Sequence, residues 1–121
     1  MKLVLHIFCL ILSVSLFAND TSKVKISLPA GFNYSVVADN LGRARHISVN
    51  TNGDVYVKLE RLKDGKGIYR LRDLNGDGQA DDIQGFANYT GTGMAIKNGY
   101  LYASSNSAVF RYKLDAKGAV D

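Results

Sequence analysis

The chain has 121 residues, a formal charge of +4 and a hydrophobic share of 46%, with five Phe and seven Tyr. This composition supports one small folded domain, or part of a larger one, and excludes an intrinsically disordered chain. Fifteen basic residues are interleaved with eleven acidic residues, so no basic stripe of the kind that binds nucleic acid is present.

Residues 1–18 are predicted to be a secretory signal peptide. Lys2 gives a positive start, an apolar run extends from Leu3 to Phe17, and Ala18 is a small residue suited to cleavage. The run is too short to span a bilayer, and no later segment is apolar enough to do so. We therefore expect a secreted or periplasmic protein with no membrane span in the mature chain. A lipid anchor on Cys9 is less favoured, because the residue before it is bulky.

Cleavage after Ala18 has a chemical consequence, because it removes His6 and Cys9. The mature chain then has no cysteine, hence no disulfide, and His46 is its only histidine. A zinc site built from several His and Cys side chains is therefore excluded. Any histidine-based catalysis within this chain must use His46.

After a lead-in segment at residues 19–31, the chain has the pattern of β-strands almost throughout. Residues 33–39 are rich in β-branched side chains, and Asn52-Gly53 is typical of a tight hairpin turn. No stretch of ten residues has a helical period, so we predict an all-β fold. The strands of the first predicted sheet lie at about 45–49, 54–59, 67–72 and 82–87.

The strand pattern repeats along the chain. Residues 46–60 align with residues 93–106, and Gly53 matches Gly99 at a separation of 46 residues. A repeat of about 40–50 residues with four short strands has the size of a β-propeller blade. A β-sandwich or another small β fold is the alternative.

The domain prediction follows from this repeat. Residues 32–121 are expected to form a partial β-propeller of four-stranded blades, with blade one at about 45–87 and an incomplete blade two at about 93–121. Propellers close into a ring, commonly of 4–8 blades, and about two blades cannot do so. We therefore expect the chain to be the N-terminal part of a longer protein or, less favoured, one of several copies that complete a ring.

Four sequence segments carry a resemblance to a known family. They are "LPAGF", "ARHISV", "NGDVYV" and "GIYRLRDLNGDGQADD". With them, residues 28–114 resemble the start of the soluble glucose/sorbosone dehydrogenases, which are secreted or periplasmic six-bladed propellers that use pyrroloquinoline quinone (PQQ). The resemblance implies oxidation of a small sugar or alcohol, with hydride transfer to PQQ.

The same resemblance limits what this chain can do alone. In that family a histidine at the head of the first inner strand lies near the central channel, and His46 occupies the matching position. The catalytic histidine, most quinone contacts and the cofactor calcium site belong to later blades. The main catalytic residues are thus expected beyond residue 121, and the fragment alone is expected to be inactive. The alternatives are a non-catalytic propeller that binds carbohydrate or protein, and a calcium-dependent lactonase-like propeller.

His46, Arg45 and Arg43 are the candidates for cofactor binding or for the channel face. Guanidinium groups suit carboxylates, because the planar fork donates two parallel hydrogen bonds, and histidine is a common general base. The alternative is that His46 is bonded to a neighbouring carbonyl group and that both arginines lie in water.

The segment "DLNGDGQADD", residues 73–82, has the spacing of a calcium-binding loop. Oxygen-bearing residues alternate as they do in such loops, and Gly78 allows the sharp bend. A solvated turn rich in Asp, Asn and Gly is the alternative. Because the loop follows the third strand, we expect it at the opposite end of the sheet from His46 and expect any ion in it to be structural. The predicted calcium ligands are Asp73, Asn75, Asp77, Gln79 and Asp81.

Overall fold

The computed structural model describes residues 26–115, which belong to two compact units divided between Phe32 and Asn33. In the described part of the first unit, the Phe32 N–H donates to the Pro29 carbonyl group at 3.2 Å, which closes a short turn. The predicted signal peptide lies outside the described residues. Within residues 26–115, no helix is long and apolar enough to cross a membrane.

The second unit contains two antiparallel sheets whose neighbouring strands are consecutive in the chain. The all-β prediction is confirmed: the described residues form no helix. The first sheet consists of β1 (Ala44–Val49), β2 (Val55–Lys63), β3 (Lys66–Arg72) and β4 (Asp82–Phe86), and the second of β5 (Met94–Lys97), β6 (Tyr100–Ser104) and β7 (Val109–Lys113).

The second strand is longer than the sequence pattern indicated. It continues to Lys63, which pairs with Lys66 across a turn at Asp64-Gly65. Both turn residues have positive φ, 50° and 73°, as a tight hairpin turn requires. Because residues 60–66 are rich in charged side chains, the sequence pattern predicted a loop there. The Asp64-Gly65 turn instead allows the ladder between β2 and β3 to continue to Lys63.

Residues 33–39 were expected to form a strand, and this expectation is wrong. No other described segment pairs with them in a ladder, and an extended chain becomes a strand only when a neighbour supplies hydrogen bonds. Val37 accepts one hydrogen bond, from the Ala80 N–H at 2.8 Å. Ala38 and Leu41 pack against the first sheet instead.

The middle strands of the first sheet bury side chains on both faces, because side chains alternate along β2. Val57 and Leu59 point to one face, where they form a cluster with Tyr69 and Leu71. Tyr56 points to the other face and is fully buried between the two sheets. The cluster between the sheets consists of Tyr56, Ile68, Met94, Leu101, Ala103 and Leu114.

The first strands of the two sheets lie side by side. The Nδ1 atom of His46 lies 2.8 Å from the Thr92 carbonyl oxygen, and the Ser48 hydroxyl donates to the Met94 carbonyl at 3.3 Å. Each pair is separated by 46 residues, the same separation that relates Gly53 to Gly99. The starts of the two sequence repeats are therefore neighbours in space.

The gap between the sheets widens away from this contact. At the last strand of the first sheet, Phe86 packs edge-on against Tyr112 of β7, with ring centroids 5.3 Å apart. Phe86 also makes an edge contact with Tyr56 at 6.4 Å. Side chains of β1 thus bond directly to the backbone at the start of β5, whereas aromatic rings fill the space between the outer strands.

Candidate functional site

A pocket of about 260 Å³ opens where the two sheets meet, at the end that contains the start of β1. We call it the junction pocket. The ends of β2 and β6 and the start of β5 lie at the same end. Its lining is formed by Arg45, Glu60, Thr90, Gly91, Thr92 and Asn106.

The structure brings the three candidates for the channel face to this pocket. Arg45 lines it directly. Arg43 forms an ion pair with the lining residue Glu60, with Nη2 3.1 Å from Oε2. His46 contacts the carbonyl group of Thr92, another lining residue. Of the three candidates, Arg45 alone is a lining residue, and their assignment to a channel face or a cofactor stays a prediction.

Arg45 reaches the pocket because of an irregularity in β1. Ala44 pairs with Leu59 and His46 with Lys58, so Arg45 is an extra residue in the ladder. Such a β-bulge locally twists a strand and redirects a side chain. Among residues 26–115, no hydrogen bond or ion pair involves the Arg45 side chain.

The opposite wall requires glycine. Gly91 has a φ of +146°, and a Cβ atom there would lie 2.2 Å from the Ser104 carbonyl oxygen. Gly93 is also close to Ser104, whose hydroxyl accepts a hydrogen bond from the Gly93 N–H at 2.9 Å. These glycines allow the segment before β5 to pack against the end of β6, which fixes the position of Thr90 and Thr92.

His46 is half-buried, and one of its ring nitrogens is engaged. Because a carbonyl oxygen only accepts hydrogen bonds, Nδ1 must donate to Thr92. In the neutral ring, Nε2 then has a free lone pair, as a general base requires. Nδ1 is therefore bonded to a neighbouring carbonyl group, as the alternative prediction for His46 stated. Nε2 keeps a lone pair that can accept a proton.

Lys58 is a residue that the sequence analysis missed. It pairs across the ladder with His46, its side chain is 0% exposed, and its Nζ has no hydrogen-bond partner among residues 26–115. The Nζ lies 4.4 Å from the centroid of the Tyr89 ring. Burial lowers the pKa of Lys58. The burial of Lys58 could have been predicted from the alternation of β2, because Lys58 points to the same face as the core residue Tyr56, two positions earlier.

The acidic loop, residues 73–81, joins β3 to β4 at the opposite end of the first sheet from the start of β1. The Asp73 carboxylate accepts hydrogen bonds from the N–H groups of Gly76 and Gly78 at 2.7 and 2.8 Å. These bonds, with that from Gly78 the strongest, lower the pKa of Asp73. The loop is therefore folded around its first carboxylate.

The calcium prediction depends on the side chains beyond Asp73. The Asn75 amide Nδ2 lies 3.2 Å from Asp77 Oδ2 and 3.3 Å from Asp81 Oδ1, so these three side chains converge. The Gln79 N–H donates to Asp77 Oδ1 at 2.8 Å. Within residues 26–115, no group of three or more His, Cys, Asp or Glu side chains has an arrangement that could hold a metal ion.

The donor types in this loop nevertheless fit a hard cation. The carboxylate oxygens of Asp77 and Asp81 converge on the Asn75 amide, whose own oxygen accepts a hydrogen bond from the Asp77 N–H at 2.9 Å, and carboxylate and amide oxygens are ligands that calcium prefers. Calcium binding by Asp73, Asn75, Asp77, Gln79 and Asp81 stays a prediction.

We expect Asp77→Ala to abolish stabilisation by calcium. At a calcium concentration 100 times Kd, a site present only in the folded state contributes about 2.7 kcal/mol. Thermal unfolding should therefore shift upwards with calcium in the original protein and stay unchanged in the variant. Asp39→Ala, an exposed change of the same charge, is the control. An equal calcium response in all three proteins would show that the loop does not hold the ion.

A scan against protein-family models, a search of curated proteins and a search of solved structures each returned no match to this chain.

Proposed function

We propose that the two sheets are consecutive blades of a β-propeller. In this proposal the chain is the N-terminal part of a secreted or periplasmic quinoprotein similar to the glucose/sorbosone dehydrogenases. The observation that carries the proposal is the contact between β1 and β5, where residues 46 positions apart are hydrogen-bonded. Rotation about a common axis places equivalent strands of successive repeats side by side in this way.

The widening gap between the sheets also supports a propeller. Neighbouring blades of a propeller diverge from the centre of the ring outwards. Their inner strands therefore lie close together, and their outer strands need larger side chains between them. Here Ser48 bonds directly to backbone at the narrow side, and Phe86 and Tyr112 fill the wide side. A sandwich of two stacked layers would keep an even spacing of about 10 Å across all its strands.

The outward faces of both sheets support further blades. Ile47 and Val49 on β1 are 60% and 62% exposed, and Val109 on β7 is 73% exposed. Ile47 and Val49 are neighbours on one face of β1, and adjacent exposed apolar residues of this kind mark surfaces that other elements cover. The proposed covering elements are the remaining blades of the same longer chain or, less favoured, of other copies.

The proposed chemistry is oxidation of a sugar or alcohol at the end of the ring that contains the junction pocket. Nε2 of His46 is a candidate to accept the hydroxyl proton, and PQQ, when bound, would accept the hydride. Arg45 is a candidate to hold a carboxylate of PQQ or of the substrate, with Arg43 beside it in its ion pair with Glu60. Among residues 26–115 the Arg45 guanidinium has no partner, and Arg forms two parallel bonds to a carboxylate.

A non-catalytic carbohydrate-binding propeller is the second candidate. It is favoured by one observation: every side chain that lines the junction pocket is polar, as a site for sugar hydroxyl groups requires. The lactonase-like alternative would need an acidic cluster near the axis. In the described part of the chain, the pocket contains one carboxylate, Glu60, which is paired with Arg43.

The deciding experiment uses the full-length protein, loaded with PQQ and calcium, and follows reduction of a dye by a panel of aldoses. We expect sugar-dependent reduction that requires PQQ. Sugar binding without any reduction would favour the non-catalytic candidate. Absence of both PQQ binding and sugar binding would contradict the proposed function.

A further inference from the structure

We propose that the junction pocket selects sugars that carry a carboxylate, such as uronates or aldonates, over neutral sugars. This inference rests on the proposed function, because it takes the junction pocket to be a ligand site. It goes further by naming the class of ligand from the charges and hydrogen-bonding groups of the pocket.

The charge of the pocket lining favours an anionic ligand. Glu60 is the one carboxylate among the lining residues, and Arg43 already forms an ion pair with it. Arg45 therefore keeps its positive charge uncompensated within the described chain, and the bulge in β1 directs it to the pocket. A planar guanidinium group without a partner is best satisfied by a carboxylate, which accepts two parallel hydrogen bonds from it.

A buried positive charge lies against the residue that precedes Thr90 of the pocket lining. Lys58 is fully buried and has no hydrogen-bond partner among residues 26–115. Its Nζ contacts the ring of Tyr89, the residue directly before the lining residue Thr90. A cation surrounded by protein is screened less than one in water, so Lys58 adds to the positive potential.

The lining also has a set of neutral polar groups. The side chains of Thr90, Thr92 and Asn106 form no hydrogen bond with other described residues, so all three are available to a ligand. Hydroxyl and amide groups match the hydroxyl groups of a sugar. The guanidinium group of Arg45 beside three such groups matches a molecule that has one carboxylate and several hydroxyls.

The size of the pocket supports a single small ligand. Drug-sized ligands occupy pockets of about 300–1,000 Å³. The junction pocket, at about 260 Å³, is just below that range. A single acidic sugar is therefore the favoured occupant, and a long oligosaccharide is not.

The test is calorimetric titration of the full-length protein, without PQQ, with glucuronate, glucose and acetate. We expect glucuronate to bind at least about tenfold more tightly than glucose, because a charge-assisted hydrogen bond contributes more than a neutral one. Acetate, which lacks hydroxyl groups, should bind more weakly than glucuronate. Added salt should weaken glucuronate binding and leave glucose binding almost unchanged.

Variants assign the selectivity to Arg45. Arg45→Gln should lose the preference for glucuronate and keep weak binding of glucose, whereas Arg45→Lys should retain part of the preference. Arg111→Gln is the control, since Arg111 lies on β7 against the Tyr100 ring, outside the pocket lining. Unfolding temperatures would verify that each variant is folded.

The possible failures are distinguishable. If glucose and glucuronate bind equally and Arg45→Gln weakens both, the pocket is a sugar site and the selectivity is wrong. If none of the three compounds binds, the inference and the assignment of the pocket as a sugar site are both wrong. Glucuronate binding that survives in Arg45→Gln would overturn the role of Arg45.

Discussion

Replacing Lys58 with Met is expected to stabilise the protein by about 1–2 kcal/mol near neutral pH. Lys58 is fully buried between the sheets, and its Nζ has no hydrogen-bond partner in the described part of the chain. An ammonium group in such a place loses its hydration without compensation. The contact with the Tyr89 ring returns about 2 kcal/mol, less than the lost hydration, and Met retains most of the packing of the stem.

The gain should depend on pH in a defined direction. The pKa of Lys58 is below its ordinary value of 10.5 in the folded protein because of burial, so folding disfavours the charged form. This penalty is complete below the folded pKa and disappears as pH rises towards 10.5. The advantage of the variant should therefore shrink between neutral pH and about pH 10.

The measurement is urea unfolding from pH 7 to 9.5. Higher pH is avoided because burial raises the pKa of Tyr56 to about 12 and also raises the pKa of Tyr89, whose hydroxyl is bonded to Tyr112. Those tyrosines stabilise the folded state below pH 10 and lose that effect above it.

Lys97→Met provides the control for the loss of a positive charge, because Lys97 is exposed on β5. We expect it to change stability by less than about 0.5 kcal/mol at every pH. A Lys58→Met variant less stable than the original protein would contradict the description of Lys58 as an uncompensated buried cation.

Asp54→Ala is expected to destabilise the protein by about 3 kcal/mol. Asp54 is 2% exposed and accepts two hydrogen bonds from Arg72, at 2.6 Å from Nε and 2.5 Å from Nη2. The bond to Asp54 is the main reason that the pKa of Arg72 is raised. Removing one partner of a buried pair leaves the other charge without compensation, which costs about 3–5 kcal/mol.

The exposed ion pair at the pocket gives an internal comparison. The side chains of Arg43 and Glu60 are 60% and 34% exposed, so Arg43→Ala should cost less than about 1 kcal/mol. Urea unfolding of both variants, together with Asp54→Ala/Arg72→Leu, measures the difference. The double variant should recover part of the loss. If Asp54→Ala costs no more than Arg43→Ala, the Asp54–Arg72 pair is not an important structural bond.

Much of the fold could be predicted because its causes are local. Alternating side chains and Asn52-Gly53 specify the β1–β2 hairpin without help from the rest of the chain. Residues 33–39 have the same local character but form no strand, because a strand also requires a ladder partner. The extension of β2 to Lys63 was missed because the charged residues before the turn at Asp64-Gly65 have the composition of a solvated loop.

The site could be predicted only in part, because its geometry is non-local. The predicted part consists of Arg43, Arg45 and His46. These residues are neighbours in sequence, so locating one of them in the fold locates all three. Thr92 and Asn106 come from the second sheet, and their approach to Arg45 depends on how the sheets pack. The bulge that redirects Arg45 is a property of the ladder and leaves no distinct pattern in the sequence.

The contact between β1 and β5 is the central claim, and nuclear Overhauser effects measured by solution NMR test it most directly. The account predicts cross-peaks between the side chains of His46 and Ser48 and the backbone of residues 92–94, together with the ladder contacts of each sheet. The account would be contradicted if the ladder contacts within both sheets were complete but β1 gave no cross-peaks to β5. Cross-peaks from β1 to a strand other than β2 or β5 would contradict it as well.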